Sequence, residues 1–221
     1  DILLAYGLVG LVCWRMIRDA SSLKTLFNTG VALYLIGVAV LLLLGFIAGN
    51  EPNRSWIPDA ANLQYEGWWK TTGGLEAISN RADMLSDTLL AIGAQYGWQL
   101  AGLMLVGAAL MRSGWLKGQF SLSHYRRSGL LLIAVGLLIN LPAVIAQWQL
   151  GWDYRWCAFL LQAPRELSAP LQTLGYAALA YGYWPQLSRL KLVTAVVCVG
   201  RMALSNYLLQ TLICTTLFYH F

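Results

Sequence analysis

From its first residues the chain alternates long apolar runs with short polar connectors, and run length decides the class. A helix needs about 20 predominantly apolar residues to cross a bilayer. Six runs predict six such helices: Ile2–Ile17, Phe27–Ala48, Leu89–Met111, Gly129–Ala146, Leu167–Trp184 and Leu192–Tyr219. The fifth is the weakest, with Pro164 and Pro170 at its start and Gly175 and Gly182 inside it. The expected fold is therefore all-α: a polytopic transmembrane bundle of about six spans, forming a single transmembrane domain over residues 1–221. Asp1 stands where a methionine would, without a basic n-region or cleavage site before the first run. That reads as a fragment cut at both ends rather than as a signal peptide.

The connectors set the orientation. Arg15, Arg18 and Lys24 lie between runs one and two, and Arg112, Lys117, Arg126 and Arg127 between three and four. Arg189 and Lys191 lie between five and six, and the only acid on this side is Asp19. The other side gathers most of the acids, from Glu51 to Glu166. Lys and Arg concentrate on the cytoplasmic side of a membrane. The connectors near 18–26, 112–128 and 185–191 are thus expected to be cytoplasmic, with residue 1 and the long connector 49–88 external. That connector carries turn signals at Glu51-Pro52-Asn53 and Gly73-Gly74 and a Trp-rich patch at Tyr65, Trp68 and Trp69. Its stretch Leu75–Leu85 has helical apolar spacing, which predicts a short helix lying in the membrane interface.

Composition agrees. The chain is 58% hydrophobic and 11% charged, against about 25% charged in soluble domains. Ten Trp and eleven Tyr suit the two membrane–water interfaces, where amphipathic rings gather. The net charge of +5 is spread over connectors rather than gathered on one face, so a nucleic-acid partner is not indicated. The lipid bilayer is the expected partner, together with N- and C-terminal spans of the same protein beyond this chain. The four cysteines show neither a CxxC nor a zinc spacing, so no metal site is expected and the thiols read as small hydrophobes.

Polar residues inside apolar runs are the candidates for function. Arg201 lies about nine residues into the sixth run, roughly 14 Å at the helical rise, and a charge at that depth is costly to insert. On a continuous helix Ser205 is about 40° from it, with Asn206 and Gln210 on a second stripe. Arg201, Ser205 and Asn206 are candidate substrate-binding residues; helix–helix hydrogen bonding accounts for the same residues as packing. Gln95 and Gln99, at i and i+4 in the third run, form a second candidate group beside Tyr6. Gln95-Tyr96-Gly97-Trp98-Gln99 lines a cavity in one reading and bonds neighbouring helices in the other. Gly93-x-x-x-Gly97 offers a close-approach face. No catalytic residue is identified: GxSxG, HExxH and phosphate-cradling loops are absent, and the histidines, His124 and His220, lie in a connector and at the end of the chain.

The closing stretch GRMALSNYLLQTLICTTLFYH, the opening DILLAYGLVGL and the connector MRSGWLKGQFSLSHYRR resemble the YeiB family of bacterial inner-membrane proteins over essentially the whole chain. Members often carry Thr at the position of Ser205, which keeps the hydroxyl. The family is grouped with membrane acyltransferases, among them the lysosomal glucosaminide N-acetyltransferase and bacterial glucan succinyltransferases. The resemblance implies a membrane-embedded acyl-group transferase acting on an envelope acceptor, with Arg201 holding an anionic donor or intermediate. No cofactor motif is evident, and an acyl donor such as acyl-CoA fits the implied chemistry. Two other readings stand beside it: a transporter or exporter of a small anionic or amphipathic substrate with Arg201 as its mid-membrane site, and a non-catalytic membrane component.

Overall fold

A computed structural model describes residues 2–49, 51 and 56–218. The chain is helical throughout, with no strand among the described residues. The helices are α1 (Ile2–Asp19), α2 (Leu23–Ile47), α3 (Ala60–Thr72), α4 (Gly74–Ala91), α5 (Gly97–Arg112), α6 (Leu122–Gln149), α7 (Gln162–Gly182), α8 (Trp184–Leu187), α9 (Lys191–Arg201) and α10 (Ala203–Phe218). They divide into two compact units, one of Asp1–Pro52 with Thr88–Gly182 and one of Asn53–Asp87 with Tyr183–Phe221.

Among the described residues, three helices are long and apolar enough to cross a membrane: Leu23–Ile47, the continuous Gly74–Arg112, and Leu122–Gln149. A fourth span is counted if Lys191–Arg201 and Ala203–Leu217, bent by 70° at their junction, act as one. Three or four of the six expected spans thus pass by length and composition, and the helices of the first and fifth runs fall short for a chemical reason. The 18 residues of α1 include Arg15, Arg18 and Asp19, and α7 carries Gln162, Arg165, Glu166, Ser168, Gln172 and Thr173 in its first half. The outside of the chain is apolar, with Leu11, Val12 and Leu138 each more than 70% exposed. Such an exterior suits lipid, and the chain is a membrane protein.

In the larger unit α5 packs on α2 and α1, and α6 packs on α7. Both main pairs close over glycines. A Cβ at Gly102 would stand 2.5 Å from the Gly30 carbonyl oxygen and 2.6 Å from the Tyr34 nitrogen. Gly129 and Gly175 do the same for α6 and α7, where each Cβ would lie 3.0 Å from the other's carbonyl oxygen. Backbones this close gain dispersion contact that lipid cannot supply. Gly93-x-x-x-Gly97 takes no part. Gly93 has no atom near its would-be side chain, and a Cβ at Gly97 would strike the Ile92 carbonyl oxygen of its own helix at 2.3 Å. That carbonyl is displaced because residues Ile92–Tyr96 form a π turn between α4 and α5.

Helix ends are closed by arginines from elsewhere in the sequence. The last carbonyls of a helix have no partner within it and carry partial negative charge. Arg112 donates to the carbonyls of Ala20 (3.0 Å), Arg18 (3.4 Å) and Ile17 at the end of α1. Arg155 donates to Gly45 (2.8 Å) and Phe46 (3.3 Å) at the end of α2, and Arg126 to Gly182 (2.7 Å) at the end of α7. The connector between α5 and α6 is equally fixed. Tyr125, 1% exposed, donates to the Trp115 carbonyl at 2.5 Å, and Tyr181 donates to Leu116 at 2.6 Å. Asp19 pairs with its neighbour Arg18 at 2.6 Å, which holds the carboxyl below its ordinary range.

The described part of the stretch 49–88 is largely helical, and Asn53–Asp87 of it belongs to the smaller unit. Asp59 caps α3 by accepting from the Asn62 amide at 2.7 Å, and Gly73 and Gly74, at φ 70° and 66°, turn the chain into α4. The short helix expected at Leu75–Leu85 is instead the first half of the long Gly74–Arg112 helix. Trp69 and Ala77 are buried, and Tyr65 donates to Asn80 Oδ1 at 3.2 Å, tying α3 to α4. Pro52, Asn53 and the rest of residues 52–55 lie outside the described residues, as does His220.

Candidate functional site

The larger unit encloses a half-open cavity of about 320 Å³ lined by α1, α2, α5 and α7. Its polarity is graded. Gln99, Leu103, Val106 and Leu110 line it from α5 at i, i+4, i+7 and i+11, a spacing that keeps all four on one helical face. Over those residues the wall runs about 16 Å. At the Gln99 end stand Tyr6, Tyr34, Tyr96 and Glu166; toward the other end the lining is Leu110, Leu116 and Leu174.

Each polar group at the head of the cavity has a definable state. Pro170 sits inside α7. Proline lacks an amide hydrogen, so the carbonyl four residues earlier loses its helical partner. That carbonyl belongs to Glu166, and the Tyr34 hydroxyl donates to it at 2.5 Å. The Glu166 carboxylate accepts from Gln162 Nε2 at 2.7 Å, and Thr173 Oγ1 donates to the Ala169 carbonyl at 2.8 Å. Gln99 differs. It is 4% exposed and its Nε2 has no hydrogen-bond partner among the described residues. An unpaired buried donor costs about 1–3 kcal/mol, so this nitrogen is poised to accept a partner. Among the described residues no Lys or Arg lines the cavity.

Of the residues singled out in the sequence, Gln99 reaches this cavity and Tyr6 and Tyr96 join it. Gln95 does not. It lies in the π turn and donates Nε2 to the Gly37 carbonyl at 3.4 Å. The two glutamines still bracket one point, because a Cβ at Gly37 would fall 2.6 Å from Gln99 Cγ and 3.2 Å from the Gln95 carbonyl oxygen. Tyr34, Glu166 and Thr173 were not identified from sequence. The signal present was Pro170, whose position four residues after Glu166 demands an outside donor to that carbonyl.

Arg201, Ser205 and Asn206 belong to the smaller unit. The expected continuous helix is broken at Met202, between α9 and α10. Arg201 ends α9 while Ser205 and Asn206 lie in the first turn of α10, so the 40° relation between Arg201 and Ser205 does not hold. Asn206 bridges the break: its backbone amide donates to Met202 (2.8 Å) and its side-chain Nδ2 to the Val199 carbonyl (3.4 Å). All three residues are exposed, and no carboxylate pairs with Arg201 among the described residues.

With this geometry the comparisons can be placed. The family described as "Protein of unknown function (DUF418)" matches residues 110–221. The chain belongs to this family. It is also 72% identical over 220 residues to "Uncharacterized protein YeiB" of Escherichia coli (strain K12), a match that covers 100% of this chain and 57% of that protein. The chain therefore spans just over half the length of its curated relative. No solved structure matches it. The match region includes α6, α7 and the broken α9–α10 pair, and begins within α5.

Proposed function

We propose that the chain is the middle part of a membrane-embedded acyl-group transferase of the bacterial inner membrane, acting on an envelope acceptor. The observation that carries this reading is the graded cavity, which offers polar groups at one end and a leucine-rich wall along the rest. A transferase for acyl groups must hold a polar reacting centre and an apolar tail at once, and this cavity provides both surfaces. The arginine-bearing C-terminal ends of α1 and α5 face the cytoplasm in this proposal, and α3 lies outside. The test is an acyl-transfer assay on the full-length protein in membrane vesicles, with labelled acyl-CoA supplied on the cytoplasmic face. Lipids and envelope glycans are then compared with those of vesicles lacking the protein. Appearance of a new acylated envelope product supports the reading, and identical products would refute it.

A second reading has its own observation. Discontinuous helices with polar residues at the break are how many transporters build midplane substrate sites, and α9–α10 is such a pair, with Arg201 at the break. Arg201-dependent movement of an anionic solute across vesicles, without acylation, would favour transport over transfer.

A further inference from the structure

The head of the cavity has an uneven balance of hydrogen-bonding groups. The Tyr34 hydroxyl, the Gln162 amide and the Thr173 hydroxyl are already engaged within the protein. The buried Gln99 Nε2 has no partner among the described residues, and the hydroxyls of Tyr6 and Tyr96 line the same space. All three can donate. Among the described lining residues the one carboxylate is that of Glu166, and none is cationic. A phosphate or a free carboxylate would meet a like charge without a counter-charge. A neutral carbonyl oxygen would satisfy the Gln99 donor without that conflict. From Gln99 the wall then runs past Leu103 and Val106 to Leu110, about 16 Å along one helical face.

We propose that this cavity binds a single medium-length alkyl chain through its neutral acyl carbonyl, with the carbonyl oxygen on Gln99 Nε2 and the chain lying along Leu103, Val106 and Leu110. The ligand class is an acyl ester or thioester rather than a fatty acid, a phosphate or a sugar. The proposal deepens the transferase reading by naming what the site holds, and its test measures binding without turnover.

The probes are three dodecanoyl compounds with a photoreactive diazirine at the chain end: a monoglyceride ester, an N-acetylcysteamine thioester and the free acid. Each is crosslinked to the full-length protein in membranes, and labelled peptides are located by mass spectrometry. The expected result is labelling of peptides from α5 and α7 by a neutral probe, with the free acid much weaker. Ester labelling alone identifies a membrane lipid as the source, and thioester labelling alone a soluble acyl donor. Gln99→Met, nearly equal in volume, removes the unpaired donor and should cut labelling by about tenfold, equivalent to about 1.4 kcal/mol, in a protein that stays folded and monodisperse. Leu103→Trp fills the apolar limb and should abolish it. Labelling by the free acid as strong as by the esters would overturn the proposal, as would labelling indifferent to both substitutions. A Gln99→Met protein that fails to fold would also overturn it, since Gln99 would then be a packing residue. Binding as expected without any acylated product would leave the site standing and remove the transferase.

Discussion

Replacing Tyr34 with phenylalanine removes one hydroxyl and leaves the ring in place. The consequence depends on a residue on another helix. In α7 the Glu166 carbonyl has no amide to receive because residue 170 is proline, and Tyr34 supplies the missing donor at 2.5 Å. Without it a partly buried carbonyl is left unpaired, at about 1–3 kcal/mol. Hydrogen bonds between membrane helices measure lower, about 0.6 kcal/mol on average and about 1.7 at most, so about 1–1.5 kcal/mol is expected here. Pro170→Ala restores the amide of residue 170 and gives the carbonyl its partner within α7. In that background Tyr34→Phe should cost less than about 0.5 kcal/mol, leaving a coupling of about 1 kcal/mol between positions 34 and 170, within the range seen for residues in one network. The cycle is measured by reversible detergent unfolding of the full-length protein, using four variants. An equal cost for Tyr34→Phe with proline and with alanine at 170 would refute the account of why Tyr34 carries a hydroxyl.

Three further outcomes are expected. Gly102→Val should prevent assembly of α2 with α5, lowering stability by at least the 1–3 kcal/mol typical of overpacking, because its Cβ would stand 2.5 Å from the Gly30 carbonyl oxygen; Gly107→Val, where nothing lies within 4 Å, should be tolerated, and yields of monodisperse protein compare the two. Single cysteines at Gln64 and Ser123, in a protein without native Cys, should react oppositely with an impermeant maleimide on intact cells, and labelling of Ser123→Cys from outside would reverse the proposed orientation. Arg201→Lys keeps the charge and loses the planar fork that grips an anion in a bidentate manner, so it should impair the envelope activity nearly as much as Arg201→Leu, with both proteins inserted at normal levels. Full activity in Arg201→Leu would leave Arg201 without a functional role.

The spans read most clearly where apolar residues run without interruption. Leu23–Ile47 and Leu122–Gln149 enclose the expected Phe27–Ala48 and Gly129–Ala146 almost entirely. Legibility failed where a residue's role depends on something distant in the chain. Nothing in VGRMALSN announces a break: it contains no proline, and the geometry is sealed only by the contacts of Asn206 with Val199 and Met202. Gly93-x-x-x-Gly97 matched a packing pattern, yet Gly97 is small for the sake of its own π turn. The pattern that does bring α2 and α5 together is Gly30 and Gly37 against Gly102 and Gln99, spread over two helices and invisible within either. Gln99 was visible because an amide in an apolar run is conspicuous. Glu166 reads in sequence as one more acid of the external side, because its place in the cavity with Gln99 is made by the pairing of helices rather than by its neighbours in sequence.

The arginine that closes α1 also bears on how the protein is made. α1 packs on α5 rather than on α2, its neighbour in sequence, and the carbonyls at its end wait for Arg112, more than ninety residues later. During synthesis α1 is therefore made before either its packing surface or its terminal donor exists. Its end carries the Arg18–Asp19 pair until α5 is made and packs beside it. The end of α2 likewise waits for Arg155, whereas Arg126 is already in place when the end of α7 emerges. The α6–α7 pair can thus close as soon as both its helices exist, whereas α1 is completed when α5 arrives and the end of α2 only when Arg155 does.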